Sequence, residues 1–340
     1  MRKLLKWLGI SVTAAVLLVG GYYAYSIYHF TNQISVAAGQ DSKFKPQAQS
    51  QSQTNVQPIE VSLPPEWDGK ERVNILLLGG DSRGEDSGRS DSVMVASVDP
   101  VTKKATLMSI LRDTYVDIPG HGQSRLNAAF SYGGPDLTRQ TVSDLLGIPI
   151  QYYVYTDFNG FIALVDSVGG IDLDVEKDMY YTSKADKHQF DIDLKKGMQH
   201  MDGKTALQYV RFRHDATSDF TRTERQRKFI TELGGKIQST SSLIKLPSIL
   251  NSISPYIETN LSTTEMLQLA SLGFNIDAKT IAKQQIPPNE LVRETTVKGA
   301  QVLGVDQRKL KSFVQNMFEQ ENKPVTTTTD SAATKINDTP

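Results

Sequence analysis

Between Trp7 and Tyr28 the chain carries no charged residue, "WLGISVTAAVLLVGGYYAYSIY", and this stretch constrains everything that follows it. A bilayer core takes about 20 residues of helix, so the segment is long enough to span one. It also outruns the ~7–15-residue apolar core of a cleaved signal peptide. Small residues in "SVAAG" at 35–39 would suit cleavage, but the length argues for a retained anchor. Arg2, Lys3 and Lys6 precede the span and no basic residue follows until Lys43, a bias that places the N-terminus inside and the remainder outside. Trp7 and the tyrosines Tyr22, Tyr23, Tyr25 and Tyr28 suit the two membrane interfaces. Residues 1–6 therefore read as cytoplasmic and 7–28 as transmembrane. The expectation is a single-pass, type II protein of the cell membrane with its folded part extracellular.

Residues 29–60 read as an extracellular linker, because "KPQAQSQSQTNVQP" at 45–58 is rich in Gln and Ser and too poor in apolar residues to form a core. The tail 323–340, "KPVTTTTDSAATKINDTP", is similarly biased and expected to be disordered. That leaves 61–322 as one domain of ordinary size. A formal net charge of -1 gives the molecule no sequence-independent attraction for nucleic acid, and with the outward topology this excludes a cytoplasmic DNA-binding regulator. The absence of cysteine excludes disulfides, thiolate metal sites and cysteine nucleophiles. His29, His121, His188, His200 and His214 show no metal-ligand spacing such as H-E-x-x-H and read as surface or loop residues.

Within the domain, helical and extended patterns alternate. "RVNILLLGG" is a continuous apolar run consistent with a buried strand, and "DSVMVASVDPVTKKATLMSIL" reads as two strands turned around Asp99-Pro100. Pro135 and Asp136 open the helix "PDLTRQTVSDLLG", closed by Gly147, and Asp157 can cap "FNGFIALVDSVGG". The strand "IPIQYYVYT" lies between them. Farther on, a short helix is entered through Asp202, "RFR" is extended, and a long helix covers 219–238. The alternation predicts an α/β fold, a mixed β-sheet sandwiched by helices and preceded by one transmembrane helix.

The first strand empties into "GGDSRGEDSGRSDS", 79–92. "GDSRG" satisfies G-x-S-x-G, which would make Ser82 a hydrolase nucleophile, but a nucleophile elbow needs a helix directly after the serine. "GEDSGRSDS" is a poor helix former, and the last histidine, His214, stands among arginines that disfavour a neutral imidazole base. A Walker A loop needs a lysine that this loop lacks. A solvated loop also suits such a composition. Distant residues add to the picture. Asp81 leaves the first strand and Asp91 enters the second, so in neighbouring strands the two carboxylates can converge. Such hard oxygen ligands suit Mg²⁺, or Mn²⁺, completed by water and substrate phosphate. Arg83 and Arg89 flank that point, and Arg112 leaves the end of the third strand toward the same sheet edge.

A second cluster is "RFRHDATSDFTRTERQRKF", 211–229. In an extended segment Arg211 and Arg213 share one face while Val210 and Phe212 share the other. In the following helix Arg222, Gln226, Phe229, Ile230 and Leu233 fall on one stripe, with Arg225 near its edge. That stripe aims cations toward the domain. Ion pairs with Asp215, Asp219 and Glu224 would answer their burial, and arginine forks binding phosphate oxygens would answer it equally well.

At this point the chain resembles the LytR-CpsA-Psr family of Gram-positive cell-surface proteins. The match rests on "NILLLGGDSR", "GRSDSVMV", "SILRDTYVDIPG", "RLNAAFSYGG", "VGGIDLDV", "MDGKTALQYVRFRH" and "DFTRTERQRKF", in the family's order behind a membrane anchor, from about Val73 to Leu233. Thr221 stands where the family often has glycine, and Arg125 where lysine is common. The resemblance implies a phosphotransferase, a polyisoprenyl-teichoic acid–peptidoglycan teichoic acid transferase. Such an enzyme moves a secondary cell-wall polymer such as wall teichoic acid from undecaprenyl diphosphate to the C6 hydroxyl of N-acetylmuramic acid in peptidoglycan, releasing undecaprenyl phosphate. It further implies that Asp81 and Asp91 hold Mg²⁺, that Arg83, Arg89, Arg112, Arg211, Arg213, Arg222 and Gln226 bind the diphosphate, with Arg125 and Arg225 less firmly placed, and that Arg112, Asp81 and Asp91 are catalytic. An apolar channel for the polyprenyl chain is implied as well. The same arginines would also serve a surface regulator that binds polyprenyl phosphates without turning them over.

Overall fold

The computed structural model describes residues 2–36, 42, 44, 66–81, 90–182, 191–214 and 219–322. Its centre is a six-stranded mixed sheet built from β1 (Val73–Gly80), β2 (Ser90–Val98), β3 (Ala105–Ile110), β4 (Tyr152–Asp157), β5 (Ile257–Thr259) and β6 (Ala282–Ile286). The strand order is β5-β4-β1-β2-β3-β6. β1 pairs antiparallel with β2 and β2 with β3, while β1–β4 and β3–β6 are parallel. In consequence β1, β3, β4 and β6 all point their C-terminal ends at one edge, and β2 begins there. The expected α/β sandwich is the fold found.

The β2–β3 turn forms where Asp99 directs it. Its carboxylate accepts from the amides of Val101 at 2.9 Å and Thr102 at 3.0 Å, an Asx turn. One sheet face, carrying Leu76, Leu78, Val93, Val95, Tyr153 and Tyr155, packs on α2 (Ala128–Leu146). This helix starts before the expected Pro135. Gly133 and Gly134 leave helical geometry, Gly134 at φ 68°, and Pro135 reopens the helix, which Gly147 ends at φ 69°. The opposite face carries Leu77, Gly79, Met94, Val154 and Thr156 toward α3 (Phe158–Ser167), α4 (Gly203–Arg211) and α5 (Asp219–Ile237). Asp157 caps α3 by accepting from Gly160 N at 2.8 Å, and Asp202 caps α4 by accepting from Thr205 N at 2.8 Å.

The N-terminal helix α1 (Arg2–Ile34) is long and apolar enough to cross a membrane. It runs on past the expected span, and its last turns join the domain. Ile34 and Val36 are buried, Val36 N donates to Thr259 O at 2.9 Å, and Thr263 Oγ1 donates to Thr31 Oγ1 at 2.8 Å. Residues 29–36 thus belong to the fold and not to the tether read from the sequence, because apolar Phe30 and Ile34 find a partner surface that composition alone does not reveal. By extending the pairing of β5, they cover a strand edge that would otherwise be open. The Gln/Ser-rich 45–58 and the tail 323–340 lie outside the described residues.

α3 and α4 cross at Gly203, where an added Cβ would stand 2.4 Å from Ile162 O and 2.7 Å from its Cα. Backbone atoms cannot yield as a side chain can. Gly203→Ala is expected to lower unfolding stability by about 1–3 kcal/mol, seen as a reduced urea midpoint at unchanged slope.

Candidate functional site

The strand-end edge gathers the predicted carboxylates and the first arginine. Asp81 follows β1, Arg112 lies just beyond β3, and Asp157 ends β4. The β1–β2 register steps from Gly79–Ser92 to Gly80–Ser90, so Asp91 is an extra residue in a bulge, the device by which a strand re-aims one side chain. Asp91 accepts a hydrogen bond from Arg112 Nη1. Tyr155 senses the same gathering: its hydroxyl pKa is pushed up first by burial and then by the negative charges of Asp157, Asp81, Glu258 and Asp91. Asp113 links two of the arginines, lying 3.7 Å from Arg112 Nε and 3.4 Å from Arg125 Nη1.

α5 brings Arg222 to this edge, as its helical stripe predicts, and the segment after α4 brings Arg213. Arg222, only 4% exposed, donates to Asp219 at 3.0 Å, and Arg213 reaches the same carboxylate at 3.2 Å. Burial, partly opposed by Asp219 and reinforced by the nearby charges of Arg112 and Arg213, pulls the Arg222 pKa down to about 10. The guanidinium is still charged at neutral pH. Gln226 spans the wall, accepting from Ser92 Oγ at 3.3 Å and donating to Val210 O at 3.2 Å. The Nε atoms of Arg112, Arg213 and Arg222 are shielded from solvent with no hydrogen-bond partner among the described residues. Three buried donors of one sign on one edge call for an anion.

Two expectations are revised in placement. Arg211 does not lie in an extended segment. α4 continues through it, closed by Phe212 N donating to Gln208 O at 3.1 Å, and the Arg211 guanidinium sits 5.0 Å over the Phe158 ring. The i→i−4 bond outweighs the short alternation of "VRFR"; Arg211 and Arg213 nevertheless both line the mouth described below. Arg225 turns elsewhere. Its Nε donates to Glu176 at 2.7 Å and its Nη1 to Phe212 O at 2.7 Å, while Tyr209 donates to Glu176 at 3.1 Å, which fixes the segment after α4. Burial is the largest influence on the Glu176 pKa and raises it, but the hydrogen bonds from Arg225, from its own backbone amide and from Tyr209, with the Arg225 charge, together hold the carboxyl below its ordinary value. Ser82, Arg83 and Arg89 fall in 82–89, and Asp215 in 215–218, outside the described residues.

Behind the cations lies a feature that periodicity does not show and only the resemblance implies, a cavity of about 640 Å³ between the sheet and helices α3, α4 and α5. Its floor is set by strand register. Met94, Leu77 and Val154 form one row across three strands, and Ser92, Gly79 and Thr156 form the next row toward the strand ends. Phe158, Phe161, Leu164, Phe229, Ile230 and Leu233 wall the interior. Asp91, Arg211, Arg213, His214, Arg222 and Gln226 line its polar end. Polarity therefore changes along one axis, from aliphatic rows through a small polar row to guanidiniums.

Such a site is apolar within and carries guanidiniums at one end, the complement of an amphiphile with an anionic head. The chain belongs to the LytR_cpsA_psr family, whose model matches residues 23–319. It is 36% identical over 270 residues to the polyisoprenyl-teichoic acid–peptidoglycan teichoic acid transferase TagU of Bacillus mycoides, covering 79% of this chain and 82% of that one. It is 33% identical over 262 residues to the regulatory protein MsrR of Staphylococcus aureus, covering 76% and 77%. Among solved structures it resembles YwtF (TagT) of Bacillus subtilis with bound octaprenyl pyrophosphate lipid, with TM-score 0.59, 27% identity and coverage of 83% and 98%.

Because burial holds the Arg222 pKa below its ordinary value, the charged guanidinium costs folded-state stability at neutral pH. Arg222→Met relieves that cost but leaves Asp219 to Arg213 alone, so the two effects offset and the unfolding free energy should change by no more than about 1 kcal/mol, while binding of an anionic amphiphile such as dodecyl phosphate weakens. Parallel urea melts and calorimetric titrations check both.

Proposed function

We propose that this protein is a phosphotransferase that moves a secondary cell-wall polymer, wall teichoic acid, from undecaprenyl diphosphate to the C6 hydroxyl of peptidoglycan N-acetylmuramic acid. The observation that carries the reading is the polarity axis: an aliphatic cavity that fits a polyprenyl chain ends at buried guanidinium nitrogens that fit its diphosphate. The name of the related TagU supplies the polymer and acceptor classes, and the lipid bound to YwtF supplies the donor class.

In this reading Arg112, Arg213 and Arg222 grip the diphosphate oxygens, with Arg211 and Gln226 beside them, and Arg83 and Arg89, which lie in sequence between β1 and β2, add to the same site. Arg125 acts through Asp113, which it shares with Arg112. The acceptor hydroxyl attacks the polymer-side phosphorus, the bridging P–O bond breaks, and undecaprenyl phosphate leaves. Phosphoryl transfer of this kind depends on alignment and charge neutralisation, and donors fixed in a water-poor site supply both without reorganising. Asp81 and Asp91 fit a divalent cation: two carboxylates at one strand-end edge are the number Mg²⁺ commonly takes, with water and phosphate completing the shell. They would hold Mg²⁺, or Mn²⁺, and the ion would supply further neutralisation of the diphosphate.

The charge bias around α1 supports the orientation, with Arg2, Lys3 and Lys6 on the cytoplasmic side and the domain outside as a type II membrane protein. A second reading, a regulator that binds the lipid without turning it over, is favoured by the name of the related MsrR. Product formation separates the two.

With full-length protein and lipid-linked polymer, Arg112→Ala, Asp81→Ala and Asp91→Ala are each expected to lower turnover by about 10²–10³-fold, and EDTA should stop transfer. A wild-type rate from any variant removes its residue from the chemistry. Lipid binding without product, by the unaltered protein, would favour the regulator.

A further inference from the structure

Beside α1 the domain exposes a pair of apolar side chains that packing leaves uncovered. Leu243 is 37% and Ile244 68% exposed, and Lys245 follows them, also exposed. The corner that carries them is fixed by local bonds. Ser239 caps the turn from Thr240 to Ile244, and Ser242, buried, donates to Lys236 O at 2.8 Å, so the serine points inward and the next two residues outward. Pro247 then opens the helix Leu246–Ile253, which packs along α1.

The depth of this corner relative to a bilayer can be read from α1. A hydrocarbon core of about 30 Å takes about 20 helical residues at 1.5 Å each. Counted from Trp7, it ends near Ser26, in the middle of the exposed tyrosines Tyr22, Tyr25 and Tyr28, residues that collect at the membrane–water interface. Tyr23, in the same belt, donates its hydroxyl to Ile244 O at 2.6 Å. That bond holds the corner at the level of the aromatic belt. We propose that Leu243 and Ile244 insert into the outer membrane interface as a second contact beside α1, with Lys245 reaching the anionic head groups. Aliphatic side chains followed by a snorkelling lysine suit that boundary. Two contacts fix the tilt of the domain where a single helix would leave it free to swing, so the cavity takes up one orientation toward the leaflet that supplies its lipid.

The proposal rests on α1 spanning the bilayer, and the test separates the two claims. The chain contains no cysteine, so single cysteines can be spin-labelled without background. In full-length protein reconstituted into vesicles of phosphatidylglycerol and phosphatidylethanolamine, labels at L17C, I244C and T296C would be compared for collision with membrane-soluble oxygen and a water-soluble nickel chelate. Leu17 is an exposed residue of α1. Thr296 is exposed on the hairpin Val292–Val297/Ala300–Val305, which joins the fold through Leu303 and Thr114, just beyond β3 and far from α1. The expected result is that I244C, like L17C, favours oxygen while T296C favours nickel. If L17C favours oxygen and I244C behaves as T296C does, the contact is overturned and the anchor stands. Shielding of I244C from both reagents would mean that protein covers the corner, a second copy or another partner, and also overturns the contact. Preference for nickel at L17C would overturn the anchor and the contact together.

Discussion

Three guanidiniums meet at one strand-end edge, each keeping a shielded Nε donor without a hydrogen bond among the described residues, and the rest of the site is arranged around those donors. Asp91, Asp113 and Asp219 each engage part of the cluster. What remains are the side-on Nε donors, shielded and without hydrogen-bond partners among the described residues, that of Arg112 lying 3.7 Å from Asp113. A protein optimised for stability alone would replace such groups with apolar ones. Their placement beside an apolar cavity suits an anionic lipid, which would bring oxygens to these donors and hydrocarbon to the cavity.

The sheet makes the arrangement possible. Because four strands end at the same edge, residues distant in sequence, Asp81, Arg112 and Asp157, arrive together without any loop having to reach across the domain. The bulge at Asp91 turns one more carboxylate into the group. Register then sets the gradient behind them: aligned Met94, Leu77 and Val154 keep the floor dry, and Ser92, Gly79 and Thr156 admit polar neighbours nearer the mouth. Gly79 keeps that second row shallow because it puts no side chain on the cavity floor. The polar end is built on strand ends, and the apolar part of the cavity lies between the sheet and helices α3, α4 and α5.

Much of this was legible in the sequence, for local reasons. Caps at Asp157 and Asp202, the Asx turn at Asp99 and the stop at Gly147 are decided by residues a few positions apart, so pattern reading finds them. The stripe from Arg222 to Leu233 is likewise a matter of helical period. The cavity was hidden for the opposite reason. β1 is apolar on both faces, and nothing in "NILLLGG" says that Leu76 and Leu78 face a packed helix while Leu77 and Gly79 face space. Arg211 was misplaced because two arginines around a phenylalanine fit a strand and a helix end equally well. The partnership of Arg225 with Glu176 joins residues whose proximity only the tertiary fold creates, and the docking of residues 29–36 on β5 is of the same long-range kind.

The most direct measurement is a structure of the protein with a short polyprenyl diphosphate and Mg²⁺ bound. The account predicts phosphate oxygens within hydrogen-bond distance of Nε of Arg112, Arg213 and Arg222, the ion between Asp81 and Asp91, and the isoprenoid chain along Leu77, Met94 and Val154. A lipid bound outside the cavity, or a diphosphate that leaves those three nitrogens without partners, would contradict it.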